Sequence, residues 1–80
     1  MAFTYILHCK DGTFYTGATK DIDRRLKEHN SGKASKYTAG RRPVKLVYWE
    51  EWSDYSGALK REKEIQKMSR MEKDRLVRGK

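Results

Sequence analysis

The sequence contains a single cysteine, a single proline and no long hydrophobic run. With Cys9 alone, no disulfide can form within the chain, and a reducing, cytoplasmic environment is expected. The longest apolar run is residues 46–49, whereas a membrane-spanning helix needs about 20 apolar residues, so no membrane association is expected. The first residues carry no basic segment and no small-residue cleavage site, and the sequence therefore predicts no secretion signal.

The chain also has little apolar material from which to build a core. Its 80 residues predict one domain over residues 1–80, because a chain of this size buries only about 60% of its unfolded surface. Hydrophobic residues make up 36% of the sequence and charged residues 38%, and the mean hydropathy is -1.03. This small share of apolar residues excludes a second hydrophobic core.

Positive charge is what the sequence has in excess. Lysine and arginine number 19 against 11 aspartates and glutamates, which gives a net charge of +8. On so small a body this charge creates a positive surface potential that attracts polyanions. Nucleic acid is the expected partner, although ribosomal proteins and proteins that bind anionic membranes share the same balance.

The first half of the chain predicts a β-hairpin followed by a helix. Residues 3–9 and 13–19 are rich in aromatic and β-branched residues, and they flank a short loop that contains Gly12. From Asp21 the apolar residues recur at helical spacing as far as residue 30. The order therefore begins β-β-α.

The second half predicts a loop, a third strand and two helices. Residues 31–43 contain small polar residues, glycines and the proline, and residues 44–51 are strongly strand-forming. Helices are expected over about 53–68 and over 69–78, the latter beginning with a capping box. The predicted fold class is α+β, a three-stranded antiparallel sheet flanked by helices in the order β-β-α-β-α-α.

Ionisable side chains lie on helix faces that are expected to meet the core. Arg25 and His29 share a face with the apolar residues of the first helix, and Glu62 lies among those of the second. The expected inward residues of that second helix are Leu59, Glu62, Ile65 and Gln66, with Arg61 on the solvated face. A buried charge costs several kcal/mol unless it is paired, so either an Arg25–Glu62 ion pair or a functional site explains the pattern.

The hairpin turn decides whether Tyr5 and Tyr15 share a face of the sheet. A two-residue turn sends them to opposite faces, whereas a three-residue loop with Gly12 in the left-handed region pairs Tyr5 with Gly17 and puts both phenols on one face. In that register Gly17 is expected to leave open space over the phenol of Tyr5, where a ligand could approach. Ordinary strand packing of both tyrosines is the alternative.

Together these residues resemble the GIY-YIG nuclease family over nearly the whole chain. The resemblance rests on Tyr5, the segment 15–17 (Tyr-Thr-Gly), Arg25 and His29 on one helix, and Glu62 on a later helix. It points to the small stand-alone bacterial members, which are similar to the nuclease domain of a eukaryotic endonuclease that cuts branched DNA. Phe-Thr-Tyr replaces Gly-Ile-Tyr at residues 3–5, and Thr16 replaces an isoleucine, but neither change removes a catalytic atom.

The resemblance implies a metal-dependent site with five catalytic residues. Glu62 would hold Mg²⁺ or Mn²⁺, and Tyr5 would take a proton from the attacking water. Tyr15 would position water or phosphate, although the roles of the two tyrosines can be exchanged. Arg25 would stabilise charge on the phosphate, and His29 would accept the proton of Tyr5. A free phenol has a pKa of about 10, so Arg25 and the metal are expected to lower it.

The basic segment 33–45 is expected to contact the nucleic-acid backbone. It contains no acidic residue, and Tyr37 within it can stack against an unpaired base. The expected nucleic-acid contacts are Gly17, Lys33, Lys36, Tyr37, Arg41, Arg42 and Lys45. A solvated run of charge with a packed tyrosine is the alternative.

The leading hypothesis is a metal-dependent endonuclease that hydrolyses phosphodiester bonds in DNA, with structure-specific cleavage in repair or recombination as its setting. DNA is favoured over RNA as the partner. The alternative is a non-catalytic module that binds structured RNA or DNA, and a structural or partner-protein role comes third.

Overall fold

A computed structural model describes residues 1–79 of the chain. Its elements in chain order are β1 (Ala2–Cys9), β2 (Phe14–Thr19), α1 (Ile22–Asn30), α2 (Lys36–Ala39), β3 (Val44–Trp52), α3 (Tyr55–Gln66) and α4 (Arg70–Arg78). The strands form one antiparallel sheet in the order β2-β1-β3, which confirms the predicted α+β class. No helix within these residues is long and apolar enough to cross a membrane.

The hairpin adopts the three-residue loop. Tyr5 lies opposite Gly17 and Leu7 opposite Tyr15, so the prediction that both tyrosines share a face is confirmed. The amide of Cys9 donates to the carbonyl of Thr13 at 2.8 Å, and Gly12 has φ +87°, the left-handed value that favours glycine.

The two faces of the sheet are covered by different helices. On one face Tyr5, Leu7, Cys9 and Val44 form a buried cluster against which Leu26 of α1 packs. The alternate residues of β1 face α3, where the hydroxyl of Thr4 donates to the carbonyl of Ala58 at 2.8 Å. Ala58 has no bulky side chain, so α3 approaches the sheet closely at this point.

One helix lies in a segment that was expected to be a loop. α2 is a single turn, capped by the Ser35 side chain, which accepts from the amide of Tyr37 at 3.1 Å. A helix of four residues is too short to show a hydrophobic period, so the pattern over 31–43 indicated only a loop.

The inward face of α3 also differs from the expectation. Ala58 and Ile65 are fully buried, but Leu59 is 36% exposed and Gln66 lies on the surface. Arg61, expected on the solvated face, turns inward and bonds the carboxylate of Glu50 with its Nε at 2.9 Å. The close contact at Ala58 turns this face of the helix toward the sheet, and Leu59 is carried outward.

Candidate active site

Three buried side chains form a hydrogen-bonded row beneath the sheet. The Tyr5 hydroxyl lies 2.9 Å from Nε2 of His29, and Nδ1 of His29 lies 2.8 Å from the Thr38 hydroxyl. Tyr5 is 3% exposed, and His29 and Thr38 are fully buried. The row joins β1, α1 and α2, and the first two of its members were expected in the site.

Both ionisable members of this row are neutral at pH 7, and burial moves the pKa of each further from that pH. Desolvation raises the pKa of Tyr5 to about 12, and the guanidinium of Arg25 opposes that rise without cancelling it. Desolvation, with the positive charge of Arg25, lowers the pKa of His29 to about 4. The expected lowering of the phenol pKa by Arg25 therefore does not occur in the protein without metal. The rise that burial causes in the pKa of Tyr5 is larger than the fall that Arg25 causes.

The ring of Tyr15 also packs against the imidazole of His29. Its ring centroid is 5.0 Å from that of His29 and 5.8 Å from that of Tyr37, and the ring of Tyr5 is 5.9 Å from His29. The shared face predicted for the two tyrosines thus places both of them around His29.

Arg25 lies at the edge of this site and borders an open groove. Its Nη1 donates to Oε1 of Glu28 at 3.1 Å, so the ion pair considered with Glu62 is not the one that forms. The groove has a volume of about 520 Å³, and Arg24, Arg25 and Lys20 are among the residues that line it. Three cationic side chains and two carboxylates therefore line this open space.

Glu62 is half-buried on α3, and its negative charge makes only a minor contribution to the raised pKa of Tyr5, which burial dominates. Desolvation also raises the pKa of Glu62 itself, while a hydrogen bond from Gln66 at 3.0 Å acts in the opposite direction. Within residues 1–79 no group of three or more histidine, cysteine, aspartate or glutamate side chains is arranged to hold a metal ion.

Gly17 has a different structural role from the one expected. A Cβ on Gly17 would lie 2.5 Å from the hydroxyl oxygen of Tyr5 and 2.6 Å from its Cζ. The space over Gly17 is therefore filled by the phenol of Tyr5 and is not open to a ligand. The glycine is required because it lets the phenol lie against β2 and reach His29.

The expected basic segment is not one continuous track of free cations. Arg41, expected to have no opposing acid, pairs with Asp11 at 2.9 Å and lies 3.9 Å above the ring of Tyr37. Arg42 donates to the backbone carbonyl of Ala39 at 2.8 Å. Both arginines hold the segment in place, and one face of Tyr37 is already covered.

Lys45 lies on the face of the sheet opposite to Tyr5. The pairing of β1 with β3 shifts by one residue between Ile6 and Leu7, so that Lys45 pairs with His8. Without this bulge, alternation would put Lys45 on the face of Tyr5. Lys33 and Lys36 are exposed. Lys33 precedes α2, and Lys36 lies in α2 next to Tyr37, whose ring contacts that of Tyr15.

Two functional neighbours were missed by sequence reasoning. Thr38 contacts His29 from α2, and Glu28 holds Arg25 from the same face of α1. The spacing of Arg25 and Glu28, three residues apart on a helix, was a readable signal. Thr38 carried no comparable signal.

The three-stranded sheet gathers two phenols around an imidazole, with Arg25 at their edge and Glu62 on α3, and this arrangement is typical of a nuclease-type domain. The chain belongs to the GIY-YIG family, whose catalytic-domain model matches residues 1–75. This is a family of nucleases, which generally use divalent metal ions and act on nucleic acid.

Similar proteins share this domain over most of their length. A UPF0213 protein of Syntrophus aciditrophicus is 57% identical over 95% of this chain and 88% of its own. A UPF0213 protein of Staphylococcus saprophyticus is 52% identical over 94% of this chain and 92% of its own. The solution NMR structure of a UPF0213 protein from Bacillus halodurans matches 100% of this chain and 86% of that one, with 47% identity and a TM-score of 0.64.

Proposed function

We propose that this chain is a metal-dependent endonuclease that hydrolyses phosphodiester bonds in DNA, with branched DNA of repair or recombination as its substrate class. The observation that carries the proposal is the buried hydrogen bond between the hydroxyl of Tyr5 and Nε2 of His29, at 2.9 Å. Any buried phenol needs a hydrogen-bond partner, but here the partner is an imidazole, which can also receive the phenol proton when the phenol acts as a general base.

In the proposed mechanism Tyr5 takes a proton from the attacking water while it passes its own proton to His29. His29 is neutral at pH 7 and has a lone pair for that proton, but its lowered pKa of about 4 makes it a weak base, so the negative charge of a bound phosphate would have to stabilise the imidazolium. With a pKa of about 12, a free phenolate of Tyr5 would be rare at pH 7, and simultaneous transfer avoids forming one. Tyr5 is assigned as the base because it is the Tyr5 hydroxyl that hydrogen-bonds His29, and Tyr15 then positions water or phosphate.

Arg25 is proposed to stabilise the charge that grows on the phosphate oxygens. The open groove beside it has room for a phosphate group, and Arg24 and Lys20 add positive charge there. Without nucleic acid, the guanidinium of Arg25 is paired with the carboxylate of Glu28. A phosphate that binds Arg25 through two oxygens would replace this one-point contact with a stronger, forked one.

Glu62 is proposed to hold the metal ion. A half-buried carboxylate whose pKa is raised by desolvation gains from a nearby cation, and its oxygens are the hard ligands that Mg²⁺ or Mn²⁺ prefers. One protein carboxylate suits an ion that takes its other ligands from water and from the substrate phosphate. When bound there, the ion would neutralise phosphate charge and lower the pKa of nearby water.

The proposal is tested by cleavage of labelled DNA. Flap, four-way junction, single-stranded and duplex DNA, with a structured RNA for comparison, are incubated with the protein in Mg²⁺, in Mn²⁺ or in EDTA. We expect cleavage with either metal, none in EDTA, and a preference for the branched substrates.

A pair of variants on α3 controls this assay. Glu62→Gln keeps the shape of the side chain and is expected to abolish cleavage, whereas Glu64→Gln makes the same change at a residue that is 65% exposed and paired with Arg61. Glu64→Gln is expected to cleave as the unmodified protein does. Cleavage by Glu62→Gln at the normal rate would contradict the metal assignment, and tight binding without cleavage under any condition would favour the non-catalytic module.

A further inference from the structure

Thr38 lies between the imidazole of His29 and the backbone of its own helix. Its Oγ1 is 2.8 Å from Nδ1 of His29 and 3.3 Å from the carbonyl oxygen of Ser35. Thr38 is fully buried, so neither contact is shared with solvent. The side chain is thus the last hydroxyl of the row that begins at Tyr5.

The protons in this row can be assigned by counting donors. The carbonyl of Ser35 can only accept, so the Thr38 hydroxyl donates to it. The hydroxyl then has a lone pair for Nδ1, which must carry a proton in order to donate. A neutral imidazole has one proton, so Nε2 is left bare and accepts from the hydroxyl of Tyr5.

The reverse order of donors is less satisfactory. If Thr38 donated to Nδ1, Nε2 would carry the proton and donate to the oxygen of Tyr5. Within the described residues the guanidinium of Arg25 also acts on that oxygen, and a guanidinium can only donate. The phenol proton would then have no acceptor, although Tyr5 is buried.

We propose that Thr38 is a positioning residue that holds His29 as the Nδ1–H tautomer, so that bare Nε2 faces the hydroxyl of Tyr5. Its mechanistic consequence rests on the proposed function, in which His29 accepts the proton of Tyr5. An imidazole in the other tautomer presents N–H to Tyr5 and cannot accept that proton. Thr38 would therefore act on the reaction through His29, without contact with the substrate.

Hydrogen bonds within and around the short helix α2 fix the position of the Thr38 hydroxyl. The Ser35 side chain caps its first turn, and the Ser35 carbonyl also accepts from the amide of Ala39 at 3.0 Å. The carbonyl of Thr38 accepts from the amide of Arg41 at 3.0 Å, which fixes the residue on its other side. The backbone is thereby held on both sides of Thr38, and the one-turn helix fixes the position of the Thr38 hydroxyl beside His29.

The tautomer is measured directly by NMR. Long-range proton–nitrogen correlation spectra of the ¹⁵N-labelled protein at pH 7, without DNA or metal, distinguish a protonated Nδ1 from a protonated Nε2. We expect His29 to show protonated Nδ1 and bare Nε2. Protonated Nε2 in the unmodified protein would overturn the inference, whatever any variant does.

Two substitutions separate the hydroxyl from the packing. Thr38→Val keeps the shape but removes the hydroxyl, and His29 is expected to lose its single tautomer; Thr38→Ser restores the hydroxyl and the tautomer. For turnover we expect kcat to fall about 10-fold or more in Thr38→Val with KM nearly unchanged, and to recover in Thr38→Ser. Thr16→Val is the matched control, because the Thr16 hydroxyl is buried and without a partner in the described structure.

The results distinguish this inference from the proposed function. A Thr38→Val protein that keeps the Nδ1–H tautomer would show that Thr38 does not set it. A protein that cleaves no nucleic acid but shows the expected tautomer, lost in Thr38→Val and kept in Thr16→Val, would contradict the nuclease proposal and support the positioning role.

Discussion

His29 is a histidine that the fold keeps uncharged, and this makes the stability of the protein dependent on pH. Its pKa is lowered from 6.5 to about 4 by burial first and by Arg25 second. As the pH falls from 6.5 to about 4, this histidine binds a proton in the unfolded chain but not in the folded chain, so the free energy of unfolding falls. Over the whole window the loss from this residue is roughly 3 kcal/mol.

Urea unfolding at a series of pH values between 7 and 4 measures this effect. The unmodified protein and His8→Gln are expected to lose stability in parallel, whereas His29→Gln should lose less over the same range because it has no proton to take up there. An NMR pH titration of the His29 ring gives the same information without a variant. Parallel curves for His29→Gln and the unmodified protein would contradict the buried, neutral imidazole.

Arg25→Lys tests the chemistry at a second residue. Lysine keeps the charge but loses the planar fork that can hold two phosphate oxygens, so transition-state stabilisation should suffer more than binding. We expect single-turnover rates to fall about 10²-fold or more, with little change in affinity for DNA. Arg75→Lys, the same change on the exposed face of α4, should cleave normally. If Arg25→Lys loses affinity but keeps its rate, Arg25 serves binding alone.

At the scale of elements, the hairpin controls where the phenol of Tyr5 lies. Gly17→Ala would put a Cβ 2.5 Å from the Tyr5 hydroxyl oxygen, so the buried phenol must move away from His29. We expect a stability loss of about 1–3 kcal/mol, typical of overpacking, and a large loss of cleavage. Thermal unfolding and cleavage rates measure the two effects.

The matched control is Gly40→Ala, because no atom lies within 4 Å of a Cβ at that position and φ there is negative. It should leave both properties nearly unchanged. Normal cleavage by Gly17→Ala would mean that the contact between Tyr5 and β2 does not position the catalytic phenol.

The hairpin register was predictable and the β3 register was not, for a physical reason. The first depends on a local turn, which Gly12 and the even spacing of the tyrosines determine. The second depends on a bulge in a pairing between distant segments, and its one-residue shift moves Lys45 to the other face. Thr38 escaped prediction likewise, because its contact with His29 exists only after α2 has packed on α1.

At the scale of the whole molecule, the sequence predicted a binding surface by charge alone, and the fold redistributes that charge. The net charge of +8 remains, but Arg41 and Arg42 are engaged within the protein and Lys45 faces away from the site. Composition predicts that a polyanion will be attracted, and it does not predict which cations reach it. We therefore expect binding of a polyanion to depend most on cations that remain exposed near the site.

The salt dependence of DNA binding tests whether placement or net charge matters. Lys33 and Lys36 are exposed beside the site, and we expect the double variant Lys33→Gln and Lys36→Gln to bind duplex DNA more weakly. The slope of log affinity against log salt should flatten by about 0.9 for each phosphate that the protein no longer neutralises, or about 2 in all. The double variant Lys60→Gln and Lys67→Gln removes the same charge from exposed positions of α3 and its C-cap. This second double variant should keep the original slope. If both pairs flatten the slope equally, net charge attracts DNA and the lysines beside the site contribute no more than other exposed lysines.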